Sequence, residues 1–252
     1  MINNTLVRVA RAFLLLLGLY SAPIILANDK VVHLTSLEWP PYSSNSLPQQ
    51  GAATAIATAA FASMGYQLKV SFFPWSRAVA FSKENNEYIG YFPEYYSAEN
   101  AKSFIYSKTF ASGPLGFAER KDKSFYWNTL EELAPYQIGV VQDYINTEKL
   151  DEMARKKQLK ISTTLNDTTN LRKLMSGRVD LAVIDKNVMQ YLFKTEWSLV
   201  NQRDQVQFNQ KILAEKNLYL CFNKSEEGKR MAEIFNQGLA KIDAAAILKQ
   251  HL

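Results

Sequence analysis

The sequence predicts an α/β protein in which one domain is inserted into another. Three features carry this reading. Strand and helix signals alternate along the chain. The alternation pauses near Ser112-Gly113-Pro114 and then starts afresh. A late strand and a long amphipathic helix close the chain after a second break near Lys211 to Lys216, as a return to the first domain would require.

The elements follow in order. Lys30 to Leu37 alternates apolar and polar residues and reads as a first strand, followed by the loop Glu38-Trp39-Pro40-Pro41-Tyr42. Ala52 to Met64 is an alanine-rich helix stopped by Gly65, a C-cap residue. Gln67 to Phe73 is a second strand, Ser76 to Lys83 a helix after Pro74, and Tyr88 to Phe92 a third strand. Phe117 to Arg120 begins a new segment. Beyond it come a short helix, Thr129 to Leu133, and a strand, Gln137 to Val141. Thr147 to Lys157 reads as a helix, Leu159 to Leu165 as a strand, and Thr168 to Ser176 as a helix with Gly177 at its C-cap. Asp180 to Ile184 is a strand, Asn187 to Lys194 a helix, Leu218 to Phe222 a late strand, and Glu226 to Ile242 a final helix. In parallel-sheet domains of this kind, ligands sit beyond the carboxyl ends of the strands.

The first thirty residues read as a secretory signal. Arg8 and Arg11 precede an apolar run, Ala12 to Leu26, and Ala27 closes it. The run is shorter than the roughly 20 residues of a membrane-spanning helix, and Pro23 interrupts it. Cleavage near Ala27 places the mature chain outside the cytoplasm, in the periplasm of a bacterial source; the alternative is an uncleaved N-terminal anchor. The chain carries 29 Lys and Arg against 24 Asp and Glu. The signal holds two of the arginines and no acid, so net charge falls from +5 to +3 on cleavage. So small and scattered a charge argues against nucleic acid as a partner. The absence of a second apolar span predicts a soluble mature protein. Cys221 is the only cysteine, so no internal disulfide is expected, and its apolar setting predicts a buried small hydrophobe.

Several segments together resemble the periplasmic solute-binding proteins for polar amino acids, the extracytoplasmic component of ABC transporters. They are Leu37-Glu38-Trp39-Pro40-Pro41-Tyr42, Phe73-Pro74-Trp75-Ser76-Arg77, and Gly90-Tyr91-Phe92-Pro93-Glu94-Tyr95-Tyr96-Ser97. Phe104-Ile105-Tyr106-Ser107, Ile138-Gly139-Val140-Val141 and the run Ser176 to Asp185 continue the likeness. The resemblance implies a periplasmic-binding-protein-like fold: two lobes with a hinge, the second lobe inserted into the first. Lobe 1 would comprise residues 28–113 and 217–252, and lobe 2 residues 114–216, after a signal peptide at 1–27. The implied function is capture of a small polar ligand, amino-acid-like or an amine, for an ABC importer. The implied state is a monomer without cofactor or metal.

The resemblance also assigns site residues. Trp39, Tyr42 and Trp75 stand where the family's aromatic residues sandwich the ligand; core packing is the competing role. The family's carboxylate-clamping arginine follows the third strand, near Pro93 and Tyr95. Here Asn100 occupies its place and Tyr95 that of a threonine. A neutral amide cannot supply the charge of a bidentate guanidinium. Gln142-Asp143-Tyr144 matches the second lobe's helix start, where an acid repels an anion. Asp185 matches the acid that takes the ligand's ammonium; capping the next helix is its alternative. Arg77 is the obvious replacement cation, with Glu38 as a plausible ion-pair partner; a solvated surface arginine is the alternative. These readings predict a ligand with a cationic or neutral polar group rather than a free α-amino acid.

An enzyme is not expected. The two histidines, His33 and His251, cannot build a histidine-rich metal site, and no Gly-x-Ser-x-Gly or His-Glu-x-x-His motif occurs. The remaining alternatives are a sensory protein that presents its ligand to a membrane receptor, and a carboxylate-based lyase or dehydratase using Asp185, Glu38 or Asp143.

Overall fold

The computed structural model describes residues 30–84 and 87–252. The signal-peptide reading at residues 1–27 lies outside them. Among the described residues, no helix is long and apolar enough to cross a membrane.

The first lobe opens with β1 (Val31–Ser36), α1 (Ala52–Ala62), β2 (Gln67–Phe72), α2 (Trp75–Glu84), β3 (Gly90–Tyr95) and the short β4 (Phe104–Tyr106). Next comes β5 (Ala111–Arg120), which leads into β6 (Gln137–Val141), α3 (Glu148–Arg155), β7 (Lys160–Thr164) and α4 (Asp167–Met175). Then follow β8 (Leu181–Asp185), α5 (Lys186–Thr195), α6 (Trp197–Val200) and β9 (Val206–Phe208). The chain returns through β10 (Ala214–Asn223) to α7 (Glu226–Leu239) and α8 (Ala244–His251).

The strands form one sheet in the order β2-β1-β3-β10-β5-β8-β6-β7. Each half repeats one plan: three parallel strands, with the first in the middle, completed by a long antiparallel strand. β10 pairs with β3 from Leu218 onward and with β5 from Ala214 to Leu218. β5 pairs with β10 from Ala111 to Leu115 and with β8 from Leu115 to Glu119. These two ten-residue strands therefore run through both lobes and form the hinge. Ser112, Gly113 and Pro114 lie inside β5, not in a loop.

Packing follows the period of each element. Leu34, Ile56, Phe61, Phe92, Phe222 and Phe235 fill the first lobe. Phe117, Leu133, Ile138, Leu150, Leu171 and Leu181 fill the second. Cys221 is buried, free and in β10. Gly65 and Gly177 follow helices with φ of +77° and +71°, the left-handed geometry that ends a helix. The single closing helix expected at the C-terminus is two: Asp243 caps α8 by accepting from the Ala246 amide. Ser225 caps α7 by accepting from the Gly228 amide at 3.0 Å. Ser225→Ala is therefore expected to lower stability by about 1 kcal/mol, read as a lower denaturant midpoint at unchanged slope.

β3 also departs from expectation, continuing through Pro93 to Tyr95 rather than ending at Phe92. Its register with β10 shifts between Tyr219↔Glu94 and Cys221↔Tyr91, which leaves Phe92-Pro93 as a bulge. A bulge tolerates a residue without an amide hydrogen and re-aims the side chains after it. Glu94 and Tyr95 follow directly.

Candidate functional site

The topology brings six strand ends together. The segments after β1, β2 and β3 in one lobe face those after β6, β7 and β8 in the other. Trp39 and Tyr42 come from the first loop, where two backbone bonds between Trp39 and Ser43 fix a tight turn. Trp75 opens α2, and Pro93, Glu94 and Tyr95 end β3. From the second lobe, Gln142, Asp143 and Tyr144 follow β6, Asp167 opens α4, and Asp185 ends β8.

The lobes are closed on one another. Trp75 Nε1 donates to the Asp143 carbonyl at 3.1 Å, and Ser76 Oγ to the Asp143 carboxylate. Tyr42 Oη donates to Asp185 at 3.3 Å and accepts from Asn187 Nδ2 at 2.8 Å. Lys216, on β10, donates from Nζ to the Asn146 carbonyl and lies 4.8 Å from the centre of the Tyr95 ring. The aromatic rings form one cluster. Trp39 stacks on Tyr42 at 4.6 Å and meets Tyr95 edge-on at 6.0 Å. Trp75 meets Tyr91 and Tyr144 edge-on at 5.4 and 6.2 Å.

Two spaces adjoin this cluster. An inner cavity of about 30 Å³ is lined by Leu37, Trp39, Trp75, Pro93, Glu94, Tyr95, Tyr144, Ile145 and Leu218. An outer groove of about 540 Å³ is lined by Glu38, Phe72, Phe73, Pro74, Ser76, Gln142, Leu165 and Asn166, and shares Leu37, Trp75 and Tyr144 with the cavity. Those three side chains therefore stand between groove and cavity.

The expected residues divide accordingly. Trp39, Trp75, Pro93, Tyr95 and Tyr144 line the inner cavity, and Glu38 and Gln142 the outer groove. Tyr42 and Asp185 meet behind the aromatic cluster. Asp185 Oδ1 accepts from the Asn187 and Val188 amides and so caps α5. Asn100 stands behind Glu94, donating to Glu94 Oε2 and Tyr91 Oη at 3.2 and 3.3 Å.

Two expectations are corrected. Arg77 and Glu38 form no ion pair: Arg77 is exposed on α2, while Glu38 accepts from the Asn45 amide at 3.0 Å. Gln142-Asp143-Tyr144 does not open a helix, since α3 begins at Glu148. Asp143 instead turns with φ of +61° and holds the lobes through Ser76. The helix start that adjoins the site is that of α4. Asn166 caps it by accepting from the Thr169 amide at 2.8 Å.

Three charged residues of the site escaped sequence reasoning: Glu94, Asp167 and Lys216. The signal for Glu94 was available, because it is the lone acid in the apolar run Tyr91 to Tyr96. Burial pushes the Glu94 carboxyl up to about 8, against opposing bonds from the Tyr95 amide, Tyr91 and Asn100. Burial, then the neighbouring charge of Asp185, pushes Asp167 up to about 7; Tyr144 and Trp39 hydrogen-bond to it and oppose the shift. Burial likewise raises Asp185 to about 7 against the two amide bonds at its helix cap. Burial lowers the Lys216 ammonium. Three buried carboxyls and a wall of ring faces thus surround the closed cleft, an arrangement that favours positive charge. Among the described residues, no group of three or more His, Cys, Asp or Glu side chains could hold a metal ion.

No sequence-family model and no curated protein sequence matches the chain. Solved structures do match. A histidine kinase sensor domain with similarity to periplasmic binding proteins superposes with a TM-score of 0.75 at 19% identity, covering 88% of this chain and 96% of its own. An ancestral arginine-binding protein bound to arginine gives 0.72 at 15% identity, covering 88% and 96%. The periplasmic VFT2 domain of BvgS from Bordetella pertussis gives 0.70 at 13% identity, covering 90% and 95%. The arrangement of strands, the two crossing strands and these likenesses agree: the chain has the two-lobed fold of the periplasmic solute-binding proteins, with the second lobe inserted into the first.

Proposed function

We propose that this protein captures a small polar solute between its lobes in the periplasm and delivers it to an ABC permease. One observation carries the reading: Trp39, Trp75 and Tyr95 from one lobe meet Tyr144 from the other around a cavity that contains a buried carboxyl. Closure of a two-lobed protein around a ligand is a hinge motion, and β5 and β10 supply a two-strand hinge. The apolar run at the N-terminus supports export, with the mature chain starting near Asn28. The change of strand partners near Leu115 and Leu218 supports lobes of residues 28–113 with 217–252, and of 114–216. A sensory role has its own support in the likeness to a kinase sensor domain and to the BvgS domain. Neighbouring genes separate the two: a permease and an ATPase for import, a membrane kinase or cyclase for sensing.

A thermal-shift panel of amino acids, amines, short peptides and organic acids tests the capture reading. A ligand at 100 times its dissociation constant adds about 2.7 kcal/mol of stability. Trp39→Ala and Trp75→Ala are each expected to weaken that ligand by more than about 1 kcal/mol, the level that marks an anchoring side chain. Calorimetry on the two variants measures it, and unchanged affinity in both would return the rings to core packing.

A further inference from the structure

Among the described residues, Glu94 is the one carboxyl that lines the inner cavity. It is 4% exposed, and among the described residues no Lys or Arg forms an ion pair with it. Its hydrogen bonds are three: Oε1 accepts from the Tyr95 amide, and Oε2 from Tyr91 Oη and Asn100 Nδ2. A carboxylate offers about four lone-pair sites, so one acceptor position of Oε1 is left over. Tyr95 lines the same cavity, and its Oη is buried with no hydrogen-bond partner among the described residues. That hydroxyl feels the charges of Asp185 and Asp167 from the opposite lobe, so it sits where the two halves of the site meet. The unused acceptor position of Glu94 thus adjoins a cavity walled by Trp39, Trp75, Tyr95 and Tyr144.

From this geometry we infer that the inner cavity is a subsite for a primary alkylammonium group, with Glu94 as its counter-ion and the surrounding ring faces as its wall. The inference rests on the reading that the cleft takes a ligand. A primary ammonium brings N–H donors and a positive charge, which the leftover carboxylate site and the ring faces meet. A cavity of about 30 Å³ has room for a head of that size, whereas a quaternary ammonium brings no N–H donor to Glu94. The alkyl chain leaves past Trp75 and Tyr144 into the outer groove, whose lining includes Phe72, Phe73 and Leu165.

The other titratable groups around Glu94 leave it the counter-ion role. Tyr91 of β3, Tyr106 of β4, Tyr144 beyond β6 and Cys221 of β10 are all held neutral by burial. Lys216 of β10 acts on it as a cation, and its ammonium is engaged by the Asn146 carbonyl. Glu94 takes up protons below about pH 8, so ammonium binding expels a proton and strengthens as pH rises toward that value.

The test titrates the mature protein with n-butylammonium chloride, tetramethylammonium chloride and sodium butyrate at equal ionic strength, by calorimetry and tryptophan fluorescence. Butylammonium is expected to bind, with proton release that scales with the ionisation heat of the buffer; the other two are expected not to. Glu94→Gln keeps the shape of the side chain and should weaken butylammonium by more than about tenfold without lowering the melting temperature. Equal butylammonium affinity in Glu94→Gln, or equal binding of tetramethylammonium, overturns the subsite, as does the absence of butylammonium binding at millimolar concentration. If butyrate binds instead and quenches tryptophan, the ammonium subsite fails while capture in the cleft survives. If no compound of the wider thermal-shift panel binds, the capture reading itself fails.

Discussion

Gly113→Ala is expected to hold the lobes apart. Gly113 lies in β5 opposite Lys216 of β10, where the sheet passes from one lobe to the other. A methyl group there would collide with Tyr42 Oη and Asp185 Oδ2, both far inside van der Waals contact. Neither can step aside easily. Tyr42 is 0% and Asp185 2% exposed, Tyr42 is fixed by Asn187, and Asp185 is fixed by two helix amides. Overpacking of this kind costs about 1–3 kcal/mol. Tyr42 and Asp185 belong to different lobes, so the cost falls on the closed form. An equivalent coupling lowers the affinity of any ligand that binds by closure about 5- to 150-fold. Small-angle scattering should show a larger radius of gyration for the variant, and calorimetry the matching loss. An unchanged radius together with unchanged affinity would show that the strand yields locally and that the glycine has no part in closure.

Ligand-free stability is expected to fall as pH rises through neutrality, opposite to ordinary acid denaturation. Asp167 and Asp185 are raised to about 7 and Glu94 to about 8 in the folded chain. Unfolded, the same groups titrate near 4. Between those limits the folded protein binds more protons than the unfolded chain. The stabilisation is complete below the unfolded values and is lost as pH climbs through 7 to 8. Each retained proton contributes about 1.4 kcal/mol per pH unit. The carboxyls that shift the other way, the exposed Glu99 and Glu131 and the half-buried Glu152 among them, act only below the ordinary carboxylate range. Urea midpoints at pH 5.5 and 8 and fixed ionic strength measure the slope, and Asp167→Asn combined with Glu94→Gln should flatten it. A midpoint that rises over this interval would mean that the three carboxyls are ionised in the folded protein. A bound cation should reverse the slope by holding them charged.

Both expectations draw on residues that the sequence exposed unequally. The strand and helix plan was legible because apolar spacing and glycine stops mark Val31–Ser36, Ala52–Ala62 and Leu181–Asp185 with few competing signals. The rings at Trp39 and Trp75 stood out because prolines flank them in loops, where packing alone rarely places a tryptophan. Glu94 was hidden because Pro93 reads as a strand stop, whereas the bulge at Phe92-Pro93 carries β3 onward to Tyr95. Gly113 and Pro114 looked like a linker because those residue types punctuate chains. In the fold they lie in a continuous strand, and the glycine is set by the close approach of two side chains from distant segments. Asp167 gave no sign either, since Trp39 of the opposite lobe and Tyr144, which hydrogen-bond to it, come from distant segments. Lys216 depended on a crossing strand that local pattern does not foretell.

That crossing strand also sets an order of assembly. The second lobe is built from a single stretch of chain, β5 to β9, plus the first residues of β10, so its contacts can form as soon as that stretch is made. The first lobe cannot finish so early. β3 needs β10 as its outer partner, and Tyr95 meets Leu218 across more than a hundred intervening residues. Until that pairing closes, β3 presents an open edge of six residues that are all buried in the final fold. Such an edge invites pairing with another chain, and the long loop makes its correct closure slow. The two crossing strands that join the lobes are therefore also the last seam to be sewn.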